Sequence, residues 1–368
     1  MYFRIQKTFQ SYRSGNFFSA SNVFKIFLFF IILFQNTAHA VSPSRYQGAR
    51  RCMGVTWTVT VFTETLTEAE TVISAALNEV TRLENILSDY QPKSELYQLS
   101  ALAPTQCHKQ VSKDLWEVLV QAVAWRDRSR GAFDPTVGVV TDLWRKARQT
   151  GHMPSAKELK GVMRSAGPET LRLDDAQGVS LLEPNMRLDL GGIGMGFTID
   201  KALQVVKKNG VSTAMIDASG DIGVIGKPPH SNGWRIGIDA LGRKSDKNNP
   251  VLKNGFAITI EDASVTTSGD AFQAVEIGGR RYSHIVDPRT GLGVIGSTGV
   301  TVIASDATTA DAVATTLSVL GPDVGSQFVD QIENCAARFI WKENGQVRVR
   351  TTAEWPAQIT NSLQSQIK

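Results

Sequence analysis

Two short stretches of the sequence contain polar side chains that a protein does not need in order to form a hydrophobic core. The first, Tyr282–Gly291, contains a histidine, an aspartate and a Pro-Arg-Thr-Gly turn within ten positions. The second places Asp311 and Thr315 four residues apart in an alanine-rich segment, so both lie on one face of a predicted helix. A carboxylate and a hydroxyl so placed offer oxygen ligands to a hard cation such as Mg²⁺.

Both stretches also have ordinary structural interpretations. Tyr282–Gly291 could be a strand end that closes into a turn, for which proline and glycine are suitable residues. Asp311 could sit in the first turn of a helix without binding anything, and Thr315 could bond back to the helix backbone. The residues alone leave these alternatives open.

A third stretch, Asp189–Gly196, is a glycine-rich loop between a predicted strand and a predicted helix. Four glycines in six positions let the backbone approach a ligand, and N–H groups at a helix start can bind a pyrophosphate. A dinucleotide-binding fold is one alternative, with Asp217 as its later acidic residue. The spacing argues against it, because the third glycine of GxGxxG would fall on Phe197 or Ile199. A tight turn without a ligand is the other alternative.

Hydrophobic periodicity predicts an α+β chain, because helices and strands are mixed without strict alternation. The predicted helices span Ala69–Leu87, Leu115–Ser129 (stopped by Gly131), Asp200–Lys208 and Ala310–Leu320 (closed by Gly321 and Pro322). The predicted strands span Thr56–Phe62, Met186–Leu190, Thr213–Ile216, Trp234–Ile238, Phe256–Ile260, Ala274–Ile277, Arg281–Val286 and Thr298–Ala304. Between them, Leu241–Lys253 is a polar loop without recognisable chemistry.

The first forty residues predict an export signal. Four basic residues and no acidic one precede the apolar run Ile26–Phe34, and Ala38–Ala40 supplies the small residues that signal peptidase accepts. The run is shorter than the roughly 20 residues that span a bilayer; a retained N-terminal anchor is the alternative. The leader's four cations equal the formal net charge of +4, so the mature chain is near neutral and its charge does not indicate nucleic-acid binding.

The three cysteines form no metal-binding pattern. Cys52, Cys107 and Cys335 show no CxxC spacing. One disulfide, between Cys107 and Cys335, is possible in an oxidising compartment. With 42% hydrophobic residues, the 368-residue chain can bury the core of one large domain or two.

Short motifs that are weak one by one form an ordered set that resembles the ApbE family, the FAD:protein FMN transferases. In chain order the motifs are MGVTW, LSDYQPKSEL, GAFDPTVG, LDLGGIGMG, ASGDIGVIG, TTSGD, YSHIVDPRTG and ADAVATTLSVLG. They cover nearly all of the chain from Arg51 to Pro322. The resemblance implies an ApbE-like (T-fold-like) α+β fold, with mixed sheets and packed helices in a single large catalytic unit. We expect this unit at residues 41–355, between a signal peptide at 1–40 and a peripheral tail at 356–368.

The resemblance implies a Mg²⁺-dependent reaction in which FAD is the substrate. FAD is split at its pyrophosphate, FMN is joined to a threonine or serine of an exported or membrane-bound redox protein, and AMP leaves. The expected location is the periplasm, and no nucleic acid is expected as a partner. Two alternatives remain: an FAD pyrophosphatase that yields FMN and AMP, and a flavin-binding carrier without chemistry.

The motifs also imply roles for individual residues. The metal ligands would be the Gly192 carbonyl, Asp311 and Thr315. His284 and Asp311 are the expected catalytic residues; His284 would orient a phosphate or move a proton, and a carboxylate beside the metal is the alternative base. The implied flavin contacts are Met53, Tyr90, Ala132, Phe133, Asp134, Asp189, Met195 and Ile285.

Two positions depart from the family pattern. Met195 stands where many members carry a lysine, and Ala271 and Phe272 follow Ser-Gly-Asp where a tyrosine is common. Neither departure removes an expected metal ligand. We therefore expect an active enzyme, with an FAD affinity altered by Met195.

Overall fold

The computed structural model describes residues 42–238, 256–269, 274–295, 298–356 and 359–360. The expected leader, the polar loop Leu241–Lys253, the departure at Ala271 and Phe272, and most of the expected tail lie outside these residues. No helix in the described ranges is long and apolar enough to cross a membrane.

Seven helices lie within the described residues. They are α1 (Leu66–Leu87), α2 (Glu95–Ala101), α3 (Lys113–Arg128), α4 (Gly138–Thr150), α5 (Ala156–Val162), α6 (Gly194–Lys208) and α7 (Ala307–Val329). Five of them begin at a serine, threonine or aspartate whose side chain accepts an amide N–H of the first turn, which satisfies a backbone donor that the helix itself leaves unpaired.

The strands form one large sheet and three small ones. The large sheet has the order β1-β2-β6-β7-β10-β14-β15-β16, and neighbouring strands are antiparallel throughout. Its strands are β1 (Ser44–Cys52), β2 (Val55–Thr63), β6 (Ala214–Ala218), β7 (Asp221–Ile225), β10 (Ser264–Gly269), β14 (Thr298–Ala304), β15 (Ala336–Glu343) and β16 (Gln346–Thr351). The small sheets contain β3 (Lys109–Gln110), β4 (Leu171–Leu173) and β5 (Gly178–Leu181); β8 (Trp234–Ile238), β9 (Phe256–Ile260) and β17 (Ile359–Thr360); and β11 (Ala274–Ile277), β12 (Arg280–Asp287) and β13 (Leu292–Ile295).

Alternating side chains give the large sheet two apolar faces. In β6, Ile216 is buried in a cluster with residues of α1 and α6. Its neighbour Met215 packs with Trp234 and Ile258 of the small β8–β9 sheet. Because successive strand residues point to opposite faces, α1 and α6 cover one side of the sheet and β8–β9 covers the other. The predicted α+β class is confirmed.

One prediction about local structure is wrong. Met186–Leu190 is not a strand: it runs beside the start of α4, where the Gly138 amide donates to the Arg187 carbonyl (3.1 Å) and the Asp189 amide to the Pro135 carbonyl (2.8 Å). With a turn and a helix start as neighbours, it has no strand edge to join. The prediction that a helix closes at Gly321 is confirmed, because Gly321 leaves helical geometry with φ 70°; a second helical segment then runs from Pro322 to Val329.

The structure does not contain the disulfide between Cys107 and Cys335 that the sequence left possible. All three cysteines are free; Cys107 is exposed, whereas Cys52 and Cys335 are buried. Burial raises the pKa of Cys335 to about 12, which keeps this thiol protonated and unreactive.

Asp200 in α6 caps the start of α7 by accepting hydrogen bonds from its first residues. Its carboxylate accepts the amides of Ala307 (2.9 Å) and Thr308 (2.8 Å) and the hydroxyl of Thr308 (2.5 Å). We expect Asp200→Ala to lower the free energy of unfolding by about 1–2 kcal/mol, the usual cost of removing a helix cap. Urea unfolding measures this change, and an unaltered midpoint would contradict it.

Asp200→Asn is the matched control, because the amide oxygen can still accept hydrogen bonds. Burial raises the pKa of Asp200, so the wild type should lose stability as the pH rises from the ordinary aspartate pKa through the raised value. Asparagine does not ionise, and this part of the pH dependence should therefore disappear.

Candidate active site

A cavity of about 310 Å³ opens between α4, the glycine loop, α7 and the strands β10 and β12. Ten of the twelve residues to which the sequence assigns a role line it. They are Ala132, Phe133, Asp134, Asp189, Gly192, Met195, His284, Ile285, Asp311 and Thr315. Residues from four distant parts of the sequence therefore share one cavity.

The glycine loop lies directly against α7 at this cavity. A Cβ atom at Gly192 would lie 2.9 Å from the Thr315 hydroxyl oxygen and 3.1 Å from the Phe133 ring. The first distance is shorter than Cβ atoms show in proteins and the second is tight, so a side chain at this position would push Thr315 away from the loop. The Asp189 carboxylate shapes the loop by accepting the Gly191 amide at 2.8 Å.

Asp311 is the most deeply buried carboxylate of the cavity, with 5% of its surface exposed. It accepts the Gly196 amide at 3.0 Å, in the first turn of α6. Burial and the neighbouring Asp221 raise the pKa of Asp311 well above its ordinary value, although the Gly196 and Met195 amides act in the opposite direction. Among the described residues Asp311 has no ion-pair partner, so a cation in the cavity would relieve this unfavourable charge.

Asp221 is a second carboxylate of the cavity, and it was not singled out from the sequence. It begins β7, within the motif ASGDIGVIG. Burial, with a contribution from Asp217, raises the pKa of Asp221 to about 7. Asp217 lies in β6 and accepts the Gly220 amide at 2.9 Å. Because β6 is antiparallel to both of its neighbours, Asp217 does not belong to the parallel sheet of a dinucleotide-binding fold.

The segment GAFDPTVG forms the wall next to the glycine loop. The Asp134 carboxylate accepts both the amide (2.8 Å) and the hydroxyl (2.6 Å) of Thr136, which fixes the turn before α4. Burial raises the pKa of Asp134. A Cβ at Gly138 would lie 2.5 Å from the Arg187 carbonyl oxygen, so glycine is required where this turn meets the Asp189 segment.

His284 and Ile285 lie in an irregular part of β12. The strand pairs with β13 at Tyr282↔Ile295 and again at Val286↔Gly293. Between these two pairs β12 advances by four residues and β13 by only two. Such a bulge changes the direction in which side chains point. The sequence indicated a regular strand at this point and gave no sign of the bulge.

The turn after β12 is braced by Asp287 and Arg289. The Asp287 carboxylate accepts two guanidinium N–H groups of Arg289, both at 2.9 Å. The Gly291 carbonyl accepts the indole N–H of Trp144 in α4 at 2.8 Å. The turn thereby holds β12 against α4. Of the residues in this turn, Pro288 is the only one among the described residues that line the cavity.

Two of the predicted flavin contacts do not line this cavity. Met53 and Gly54 form the two-residue turn between β1 and β2, both with positive φ, and the Met53 amide donates to Glu84 at 2.7 Å. Tyr90 lies on the surface and is 53% exposed. Met53 nevertheless packs against the apolar cluster that contains Phe133 and, like Met195, against the cluster of α1, β1 and β2.

A model of the ApbE family matches residues 53–339, which is more than half of the sequence. The chain belongs to the ApbE family.

Relatives and solved structures agree with this assignment. The FAD:protein FMN transferase of Treponema pallidum (strain Nichols) is 29% identical over 300 residues, covering 76% of this chain and 80% of the relative. That of Salmonella typhimurium (strain LT2) is 27% identical over 311 residues, covering 82% and 86%. The apo Pseudomonas stutzeri flavinyl transferase ApbE superimposes with a TM-score of 0.74 at 25% identity, covering 85% of this chain and 96% of that one. The Thermotoga maritima ApbE protein gives a TM-score of 0.71 at 26% identity, covering 83% and 96%.

The residues that the ApbE motifs assign to Mg²⁺ fit such an ion. Gly192 and Thr315 are in contact, and Asp311 lines the same cavity with no ion-pair partner among the residues that the structure describes. Within the described ranges, no group of three or more His, Cys, Asp or Glu could hold a metal. A metal here would therefore take few protein ligands and fill its shell with water and phosphate oxygens, as Mg²⁺ characteristically does.

Two arginines to which the ApbE motifs assign no role also lie at the cavity. Arg145 and Arg148 line the cavity together with Val137 and Thr141. These four residues recur every three or four positions from the start of α4, so one face of this helix meets the cavity. That spacing was visible in the sequence, but only the packing of α4 shows which of its faces is turned inward.

Arg145 contacts two motifs of the ApbE pattern and one further carboxylate of its own helix. It lies 2.6 Å from Asp89 of LSDYQPKSEL, 2.9 Å from Asp142 and 3.9 Å from Asp189. Burial alone would lower the pKa of Arg145, but these carboxylates together raise it. Its positive charge is therefore already compensated by the protein.

Proposed function

We propose that this protein transfers FMN from FAD to a threonine or serine hydroxyl of an acceptor redox protein, in a Mg²⁺-dependent reaction that releases AMP. One observation carries the proposal: Gly192, Thr315 and the buried Asp311 meet in a cavity that six of the eight candidate flavin contacts also line. This is the arrangement that a diphosphate ester and a hard cation would need.

The reaction is a displacement at phosphorus. The acceptor hydroxyl oxygen attacks the phosphorus of the FMN half, the bond from this phosphorus to the bridging oxygen breaks, and AMP leaves with that oxygen. Bound at Asp311, Thr315 and the Gly192 carbonyl, Mg²⁺ would offset the diphosphate charge and help AMP to leave. The residues of the cavity hold the two halves of FAD in line with the hydroxyl, which supplies most of the acceleration in reactions of this class.

The acceptor hydroxyl must also lose its proton. His284 lines the cavity and carries an imidazole, whose ordinary pKa suits proton transfer near neutral pH. A carboxylate beside the metal ligands is the alternative base. A pH–rate profile of His284→Gln separates the two: with His284 as the base the variant loses its rate at all pH values, and with a carboxylate it retains the wild-type profile.

The transfer assay uses the mature chain with FAD, Mg²⁺ and a domain that carries an acceptor threonine. We expect fluorescent flavin on the acceptor in a denaturing gel, and no label after chelation of the metal or with an acceptor whose threonine is changed to alanine. Free FMN and AMP without label would instead identify a pyrophosphatase. FAD that stays intact and bound in stoichiometric amount would identify a carrier.

We also propose that the protein acts after export, in the periplasm, on a redox protein that is exported or membrane-bound. The leader at 1–40 supports this proposal, because its basic start, short apolar run and Ala38–Ala40 end are those of a cleavable signal. Recovery of the protein from the periplasmic fraction with Val41 as its first residue would agree. A cytoplasmic protein with an intact leader would contradict it.

A further inference from the structure

We infer that Arg148 binds an anionic phosphate oxygen of the substrate, as a positioning residue for the diphosphate of FAD. This inference rests on the proposed function for the identity of the substrate. Its geometric basis is independent of that function, because it concerns a cationic side chain of the cavity whose buried Nη1 has no hydrogen-bond partner among the described residues.

Among the described residues that line the cavity, two are arginines, Arg145 and Arg148, and none is a lysine. They lie on the same side of α4, three residues apart, and are neighbours in space. Arg145 is held by three carboxylates, of which Asp89 is the nearest at 2.6 Å. Arg145 therefore has little positive charge to offer to a ligand.

Arg148 is in the opposite situation. Its Nη1 atom is buried, and no hydrogen-bond partner for it exists among the described residues. A buried donor without a partner is uncommon in proteins and costs free energy, more so when it is charged. Burial and the positive charge of Arg145 lower the pKa of Arg148, so both effects oppose its charge until an anion arrives.

The chemistry of the cavity selects the anion. The lining residues include four carboxylates, those of Asp134, Asp189, Asp221 and Asp311, which would repel a ligand of diphosphate charge in the absence of cations. A guanidinium presents N–H groups in a planar fork that matches two phosphate oxygens. Arg148 is therefore suited to hold one phosphate of the substrate, on the α4 side of the cavity.

The test compares ligands that share parts of FAD. Binding of FAD, FMN, AMP, riboflavin and inorganic pyrophosphate is measured by calorimetry with Mg²⁺ chelated, so that no turnover occurs. We expect Arg148→Gln to weaken FAD binding roughly 10- to 100-fold, the range for a charged hydrogen bond, and to leave riboflavin binding unchanged. A loss for FMN but not AMP assigns Arg148 to the FMN phosphate, and the reverse assigns it to the AMP phosphate.

Two further variants control for structural effects. Lys146→Gln removes a positive charge from the same helix at an exposed position and should change no affinity. Arg148→Lys keeps the charge and should restore part of the FAD affinity. Because no described residue accepts a hydrogen bond from the buried Nη1 of Arg148, Arg148→Gln should not lower the melting temperature of the ligand-free protein.

Three outcomes would overturn the inference. They are an unchanged affinity for every phosphate-containing ligand, an equal loss for riboflavin, and a lower melting temperature without ligand. If the wild type binds no FAD, the proposed function fails, whereas the pyrophosphate measurements on the same variants still decide the role of Arg148.

Discussion

Asp311→Asn is expected to reduce FMN transfer by roughly 10²- to 10³-fold, because it removes the negative charge that would hold the metal. Loss of one partner from a buried charge pair costs about 3–5 kcal/mol, which corresponds to this factor or more. The asparagine has nearly the same shape and can still accept the Gly196 amide that Asp311 accepts at 3.0 Å. The rate of flavin labelling of the acceptor measures the effect.

The same variant should remain folded and respond differently to pH. Burial and Asp221 raise the pKa of Asp311, so the folded state holds its proton more tightly than the unfolded state. The metal-free wild type therefore loses stability as the pH rises from the ordinary aspartate pKa through the raised value. Asparagine has no charge to bury, and urea unfolding of the variant in the presence of a chelator should lack this loss.

The melting temperature in the presence of Mg²⁺ is a second test of whether Asp311 binds the metal. A ligand that binds only the folded state raises the melting temperature, so Mg²⁺ with FAD should stabilise the wild type and have little effect on Asp311→Asn. Asp323→Asn is the matched control: Asp323 lies in the same helix but on the surface, where it pairs with Arg350 at 2.6 Å. Full activity of Asp311→Asn, or an equal loss in both variants, would contradict the assignment of Asp311 to the metal.

Gly196→Ala is expected to destabilise the fold by about 3 kcal/mol, the upper range for overpacking in a core. A Cβ at Gly196 would lie 2.1 Å from the Ala307 carbonyl oxygen and 2.8 Å from the Asp311 Cβ. The nearest obstacle is backbone, so no rotation of a side chain relieves it. The two helices α6 and α7 must move apart, which displaces Asp311 from the glycine loop and should abolish transfer.

Gly194→Ala is the control for this substitution, two residues earlier in the same loop. A Cβ at Gly194 would meet Leu190 at 3.7 Å, an ordinary contact. We expect a change in unfolding free energy within about 0.5 kcal/mol, the usual range for a residue without a special role. Similar urea midpoints for the two variants would show that the close approach of α6 and α7 does not depend on Gly196.

Prediction from the sequence succeeded where local patterns were sufficient. The strands Trp234–Ile238, Ala274–Ile277 and Thr298–Ala304 have the predicted bounds, because alternation of apolar residues is a local property. Met186–Leu190 shows the limit of this reasoning. It has a suitable composition, but a strand exists only beside another strand, and its neighbours are a turn and the start of α4.

The candidate site shows the same division. The ordered motifs selected Asp311, Thr315 and Gly192, since polar residues and glycines at special spacings are visible in the sequence. They did not select Arg148, which stands out because its buried Nη1 has no hydrogen-bond partner among the described residues. They also did not select Asp221, whose pKa of about 7 results chiefly from burial. Neither the missing partner nor the burial is a property of the residue type or of its neighbours in the chain.

The sequence by itself determined the ApbE family, the α+β class and the residue types available for phosphoryl transfer. Only the tertiary structure decided which of these residues meet: it brought ten of the twelve to one cavity and left Met53 and Tyr90 outside it. It also turned one face of α4 toward the cavity and placed a bulge at His284. The physical reason is that contacts between distant segments depend on packing and burial, which no local pattern of residues records.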